Sequence, residues 1–157
     1  MAQQIKADED YTLAKQIILV ADILIKVRER ELLPQNLSAS AADILFLIDA
    51  MGKDVTAANI AKMLLREQTS IEDILKRMEM HGLINRTKNM KRKGLIRITL
   101  TAKGKNTLNQ AMKQKGTTHV LTRLTEEQRS KLKRTLNDLK EAGMKGLYLN
   151  PNVVLWP

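Results

Sequence analysis

Residues 69–101, TSIEDILKRMEMHGLINRTKNMKRKGLIRITLT, decide how the chain folds. The stretch begins with helical period: at about 100° per residue, Ile71, Ile74, Leu75 and Met78 share one face. Thr69 and Glu72 stand three apart, the spacing of a capping box, and predict a helix from about Thr69 to His81. Gly82 follows, where a left-handed residue ends a helix. The period then drops to two. Leu83–Thr87 reads as a short strand, and Leu95–Leu100 as a better one, with Ile96, Ile98 and Leu100 alternating against Arg97 and Thr99. Lys88-Asn-Met-Lys-Arg-Lys-Gly94 joins them.

Upstream, Thr56 caps a short helix carrying Ile60, Met63 and Leu64, with Arg66–Gln68 as the connection to the next helix. Before that, Ser38 or Ser40 caps a helix with Ile44, Leu45, Leu47, Ile48 and Met51 inward, closed by Gly52. A helix pair followed by two short strands on a basic hairpin is the layout of a winged helix-turn-helix. Downstream, Thr101 caps a helix running to roughly His119. Thr125 and Gln128 form a second capping box, opening a last helix with Leu132, Leu136 and Leu139 on one face. At the other end, Tyr11–Leu33 reads as one long helix ended by Pro34. Leu13, Ile17, Val20, Leu24 and Val27 make one apolar stripe, and Ile18, Ala21 and Ile25 a second beside it. Burial in the core of the same chain and burial in a dimer interface both fit this broad face. The matching leucine face of the last helix favours the interface. The expected fold is mainly α with a small β-hairpin (α+β), a winged helix-turn-helix with N- and C-terminal dimerisation helices. The expected divisions are 1–36, 37–101 and 102–157.

The chain has 157 residues and a formal charge of +10, from 27 Lys+Arg against 17 Asp+Glu. Eight basic residues lie between Ile84 and Asn106 with no acid among them: Arg86, Lys88, Lys91, Arg92, Lys93, Arg97, Lys103 and Lys105. A charge run of this kind is often only a solvated hairpin tip. Next to a helix pair, it fits the backbone of a duplex, where each cation that neutralises a phosphate releases condensed counterion. The helix before the hairpin is then the reader. Its apolar face rests on the domain and Gln68, Thr69, Ser70, Asp73, Lys76 and Arg77 are offered to base edges or phosphates. Arg86, Lys88, Lys91, Arg92, Lys93 and Arg97 form the wing set. Asp73 is the misfit in a phosphate-lined groove. It either accepts from a cytosine amino group or pairs with Arg77 one turn later.

Other chemistries are poorly served. There are no cysteines, which excludes disulfides, thiolate metal sites and thiol redox sensing. His81 and His119 lie far apart and lack a carboxylate motif. No phosphate loop, nucleophile elbow or paired-histidine motif is present, so neither an enzyme nor a cofactor is expected. Four aromatics are too few for a single-strand stacking platform. The longest apolar stretch, Ile17–Ile25, is interrupted by Asp22 and falls short of the roughly 20 residues that span a bilayer. The polar start holds Asp8, Glu9 and Asp10, unlike a signal peptide. A cytoplasmic protein with no membrane partner is expected. Eight methionines read first as core filler, with an adaptable ligand pocket as the other use. The apolar tail Tyr148–Pro157 suggests no role.

Three segments resemble the MarR family of multiple-antibiotic-resistance regulators. They are Ala58-Asn-Ile-Ala-Lys-Met-Leu64, Ile74-Leu-Lys-Arg-Met-Glu-Met-His-Gly-Leu-Ile84 and Ile98-Thr-Leu-Thr-Ala-Lys-Gly104. Their order and spacing match a short helix, a recognition helix, a wing and a closing Leu-Thr-x-x-Gly, and the resemblance extends over nearly the whole chain. It implies a homodimer interlocked through the terminal helices, a duplex DNA partner, and regulation of transcription, as a repressor. Family members respond to small aromatic acids or to cysteine oxidation, so the resemblance leaves a small-molecule effector open. The family's Asp-x-Arg wing motif is absent as written. Arg92 and Gly94 fall on its positions, and Lys91, Arg92 or Lys93 takes the minor-groove role. The alternative class is a winged-helix protein–protein module that has lost specific DNA reading. An RNA-binding winged helix fits less well, because the deep, narrow major groove of A-form RNA excludes a recognition helix.

Overall fold

A computed structural model of the chain describes residues 8–52, 55–88, 95–147 and 149. The elements are α1 (Glu9–Leu32), a 3₁₀ turn (Leu33–Gln35), α2 (Ala39–Met51), α3 (Ala57–Leu64), α4 (Gln68–Met80), β1 (Ile84–Lys88), β2 (Ile96–Leu100), α5 (Ala102–Met112), α6 (Gly116–Leu121) and α7 (Glu126–Gly146). The expected mainly helical fold with one hairpin is present. The strands are antiparallel, with Ile84 opposite Leu100, Arg86 opposite Ile98 and Lys88 opposite Ile96.

Short polar residues start most of these helices. The side chains of Ser38, Thr56, Thr101 and Thr125 accept from backbone amides of α2, α3, α5 and α7, and Thr125 with Gln128 completes a capping box. Each such cap stabilises its helix by about 1 kcal/mol. Pro34 converts the end of α1 into the 3₁₀ turn, as a residue without a free amide must. Gly82 has φ 68°, the left-handed conformation expected of it.

The core gathers α2, α3, α4, the hairpin and α5. Ile44, Leu45, Leu47, Val55, Ile60, Ile71, Leu75 and Ile98 are fully buried in it. It reaches beyond residues 37–101, to Leu32 on one side and to Leu108 and Ala111 on the other. Val55 contributes an edge contact that the sequence reading missed, since the Ile98 amide donates to its carbonyl at 2.9 Å. Gly104 explains the last glycine of the Leu-Thr-x-x-Gly segment. A Cβ there would lie 1.9 Å from the Leu83 carbonyl oxygen, so only glycine lets α5 approach the start of the hairpin. Thr101 fastens the same corner, donating from its amide to Leu83 and from Oγ1 to Gly82.

Two local expectations are corrected. The helix predicted from Thr101 to His119 is broken into α5 and α6 at residues 113–115. α1 stabilises the break: Arg28 donates to the Ala111 carbonyl at 3.2 Å, and the Glu31 carboxylate accepts from the Thr117 amide at 2.7 Å and its hydroxyl at 3.0 Å. Residues on another helix thus satisfy the free groups of both helix ends. The second correction concerns α4. It begins at Gln68 with Glu67 at the N-cap and no side-chain cap, so the predicted box of Thr69 and Glu72 does not form.

The long terminal helices contrast with this core. Leu13, Ile17 and Val20 of α1 and Leu132, Leu136 and Leu139 of α7 are exposed, and Leu24 is half-buried. Of α7 only Met144 is buried.

Candidate nucleic-acid interface

α4 lies on its apolar face, with Ile71, Leu75 and Met78 buried. That fixes the opposite face outward, and Gln68, Thr69, Ser70, Asp73, Lys76 and Arg77 are all exposed. Thr69, Ser70, Asp73, Lys76 and Arg77 therefore share one solvent-facing surface, and Gln68 is exposed as the first residue of the helix. The shifted start of α4 adds to it: with no side-chain cap, the amides of its first turn have no side-chain acceptor. Free amides and the positive end of the helix dipole favour an anion there.

Asp73 does not take Arg77 as its ionic partner. Its carboxylate lies 3.7 Å from the Lys76 ammonium, while Arg77 Nε donates to the Asp73 backbone carbonyl at 3.3 Å. Both carboxylate and ammonium are well exposed, so the pair is worth little.

The basic set is less uniform than its sequence implied. Lys88 is exposed at the end of β1 and Arg97 is half-buried on β2. Lys91, Arg92 and Lys93 lie outside the described residues. Lys103 donates to the His81 carbonyl at 2.8 Å, capping the C-terminus of α4, and Lys105 lies 3.7 Å from the Asp49 carboxylate. Arg86 departs furthest from expectation. Its guanidinium meets the Glu72 carboxylate at 2.6 Å, with 13% of the Arg86 side chain exposed. The strand period explains this: Arg86 has the parity of the buried Ile84 and lies opposite the buried Ile98, so it points at the helical layer. That parity was readable in the sequence, but its partner was not, because Glu72 had been assigned to a cap.

Among the described residues, no group of His, Asp and Glu could hold a metal ion, and no helix is long and apolar enough to cross a membrane.

A family model described as MarR family matches residues 37–91, which take in α2, α3, α4 and β1. Among solved structures, the organohalide-sensing RdhR transcriptional regulator bound to 2,4-dichlorophenol is 27% identical, with a TM-score of 0.76, covering 89% of this chain and 88% of its own. A mutant of MarR from E. coli complexed with operator DNA is 20% identical, with a TM-score of 0.77 over 85% of this chain and 99% of its own. The transcriptional regulator SlyA is 22% identical, with a TM-score of 0.76 over 85% and 95%. These last two likenesses are of fold. No curated protein matches the sequence. The chain thus carries a segment, residues 37–91, that matches the MarR family model, within a fold similar to that of these regulators.

Proposed function

We propose that the protein is a homodimeric, sequence-specific duplex DNA-binding regulator, acting in the cytoplasm as a repressor that occludes its operator. The carrying observation is α4: it buries one face and presents Thr69, Ser70, Lys76 and Arg77 together on the other, with Gln68 exposed at its start, beside a hairpin whose loop is basic. A helix of this kind fits the B-DNA major groove. Lys88, Lys91, Arg92, Lys93 and Arg97 supply the wing contacts to the backbone and the adjacent minor groove. The dimer rests on the exposed apolar faces of α1 and α7, which a second copy covers. The effector is a small phenol or aromatic acid, by analogy with the dichlorophenol bound by RdhR. A cleft of about 340 Å³ between the α1–α2 junction and α4 suits it, with Leu37, Ile74 and Met78 as apolar walls and Arg77 and His81 as polar groups.

Binding of the purified protein to duplex DNA across a salt series tests the reading. Replacing Lys91, Arg92 and Lys93 with Ala weakens binding to every duplex and lowers the slope of log K against log salt by about 0.9 per lost phosphate contact. Absence of salt-dependent duplex binding overturns the proposal in favour of a protein–protein module. The exposed Asp73 is the observation that favours that second reading. Under the DNA reading, Asp73→Ala tightens binding to specific and random duplexes alike, because a carboxylate leaves a strongly negative groove.

A further inference from the structure

We propose that Arg86 is not a DNA contact but a positioning residue, which with Glu72 forms a strut that sets the recognition helix α4 against the wing. This inference rests on the DNA-binding reading above and refines it. The pair joins residues fourteen apart in sequence, on α4 and β1, at 2.6 Å, where the side chains are only 13% and 30% exposed. Its place follows from two periodicities that converge. On β1, the alternation that buries Ile84 turns Arg86 inward. On α4, Glu72 is one turn from both Gln68 and Lys76 and next to the buried Ile71, so it flanks the reading face on the hairpin side.

The pair has two consequences for DNA. It braces α4 and the hairpin as one body, so the polar face of α4 and the wing meet the duplex at a fixed separation. It also holds the Glu72 carboxylate away from the phosphates. A guanidinium so placed is already neutralised and partly desolvated. Recruiting it to a phosphate would leave the Glu72 carboxylate unpaired where water reaches it poorly. Removing one partner is therefore worse than removing both, an asymmetry that a phosphate contact does not produce.

The test compares Arg86→Leu, Glu72→Leu and the double variant with the wild type, measuring duplex affinity across a salt series. Arg86→Leu alone lowers affinity by more than about tenfold, because it frees the carboxylate beside the groove. The double variant recovers to within about threefold of wild type, with the salt slope unchanged. A double variant that stays weak, with a slope reduced by about 0.9, identifies Arg86 as a phosphate contact and overturns the proposal. Amide hydrogen exchange on the DNA-free proteins gives the second readout. Protection in the first half of α4 and in β1 falls in each single variant and returns in the double variant. Single variants that leave this protection unchanged overturn the strut. If the wild type binds no duplex, the proposed function fails and the exchange data still decide the strut. If Arg86→Leu does not fold, the affinity and salt slope of the double variant decide it.

Discussion

Ile60, Ile71 and Leu75 in the winged-helix unit are fully buried within one chain, while Leu13, Val20, Leu132, Leu136 and Leu139 in the terminal helices stay 39–55% exposed. Both sets repeat at helical spacing, and both read from the sequence as apolar faces. The difference lies in the geometry of the neighbours. α2, α3, α4, the hairpin and α5 close around one another, whereas α1 and α7 project apolar faces that their own chain leaves uncovered. A stripe of leucines thus announces that a face is to be covered and is silent about which chain covers it.

The sharpest way to break the closed half is at its tightest approach. Gly104→Ala places a methyl group 1.9 Å from the Leu83 carbonyl oxygen, a backbone atom that cannot swing aside. It destabilises the chain by at least about 3 kcal/mol in denaturant unfolding. Leu75→Ala, in the fully buried core, costs about 2–5 kcal/mol, at any protein concentration. A loss under about 1 kcal/mol in either variant would mean that the core is looser than drawn.

The open half responds differently. Leu136→Glu combined with Leu139→Glu yields a folded 17.8 kDa monomer in sedimentation, with helical circular dichroism retained. The wild-type melting temperature rises with concentration and that of the variant does not. A wild type that sediments as a monomer would show that no second copy covers the apolar faces of α1 and α7.

The junction between the halves carries a smaller, pH-dependent effect. Burial opposes ionisation of the Glu31 carboxylate, but the Thr117 amide and hydroxyl together with Arg28 outweigh it and leave its pKa lowered. Its folded value thus lies below its unfolded one. The stabilisation is present above the unfolded pKa and is lost as pH falls through the folded value. Glu31→Ala costs about 1–3 kcal/mol at neutral pH, and the difference from wild type fades in acid. A constant difference down to strongly acidic pH would show that packing, not charge, accounts for it.

Asp43 has the opposite sign and the smallest effect. Partial burial pushes its pKa up, against the attraction of Arg28 and Arg66. Its folded pKa exceeds the unfolded one, so its contribution is favourable in acid and lost as pH rises through the folded value. Asp43→Asn raises stability at neutral pH by about 0.5 kcal/mol or less. Thermal unfolding at neutral and acidic pH checks it: a variant less stable than wild type at neutral pH would mean that the attraction of the two arginines outweighs the burial.

Much of this was legible because it is local. Ser38, Thr56, Thr101 and Thr125 announce helix starts through side chains that reach amides only three residues on. Gly82 and the two-residue period after it announce the turn and the hairpin. The polar face of α4 followed from its apolar one. The failures are all non-local. Thr69 and Glu72 match a capping box in sequence, yet α4 starts a residue early and Glu72 takes Arg86 from the next element. Lys113–Lys115 hold no strong breaker, and the break between α5 and α6 depends on Arg28 and Glu31, more than eighty residues away. Within the basic run, Arg86, Lys103 and Lys105 are among the cations that have partners within the protein.

The sequence by itself determined the winged-helix layout, the polar outer face of α4 and the excess of positive charge around the hairpin. Period, caps and turns act over a few residues, and composition needs no fold at all. Only the tertiary structure decided which charges remain available and which helix ends are capped from a distance. It also decided which apolar faces the chain covers itself. Those outcomes depend on which side chains meet across elements, and a polar group satisfied by a distant partner leaves no local mark on the sequence.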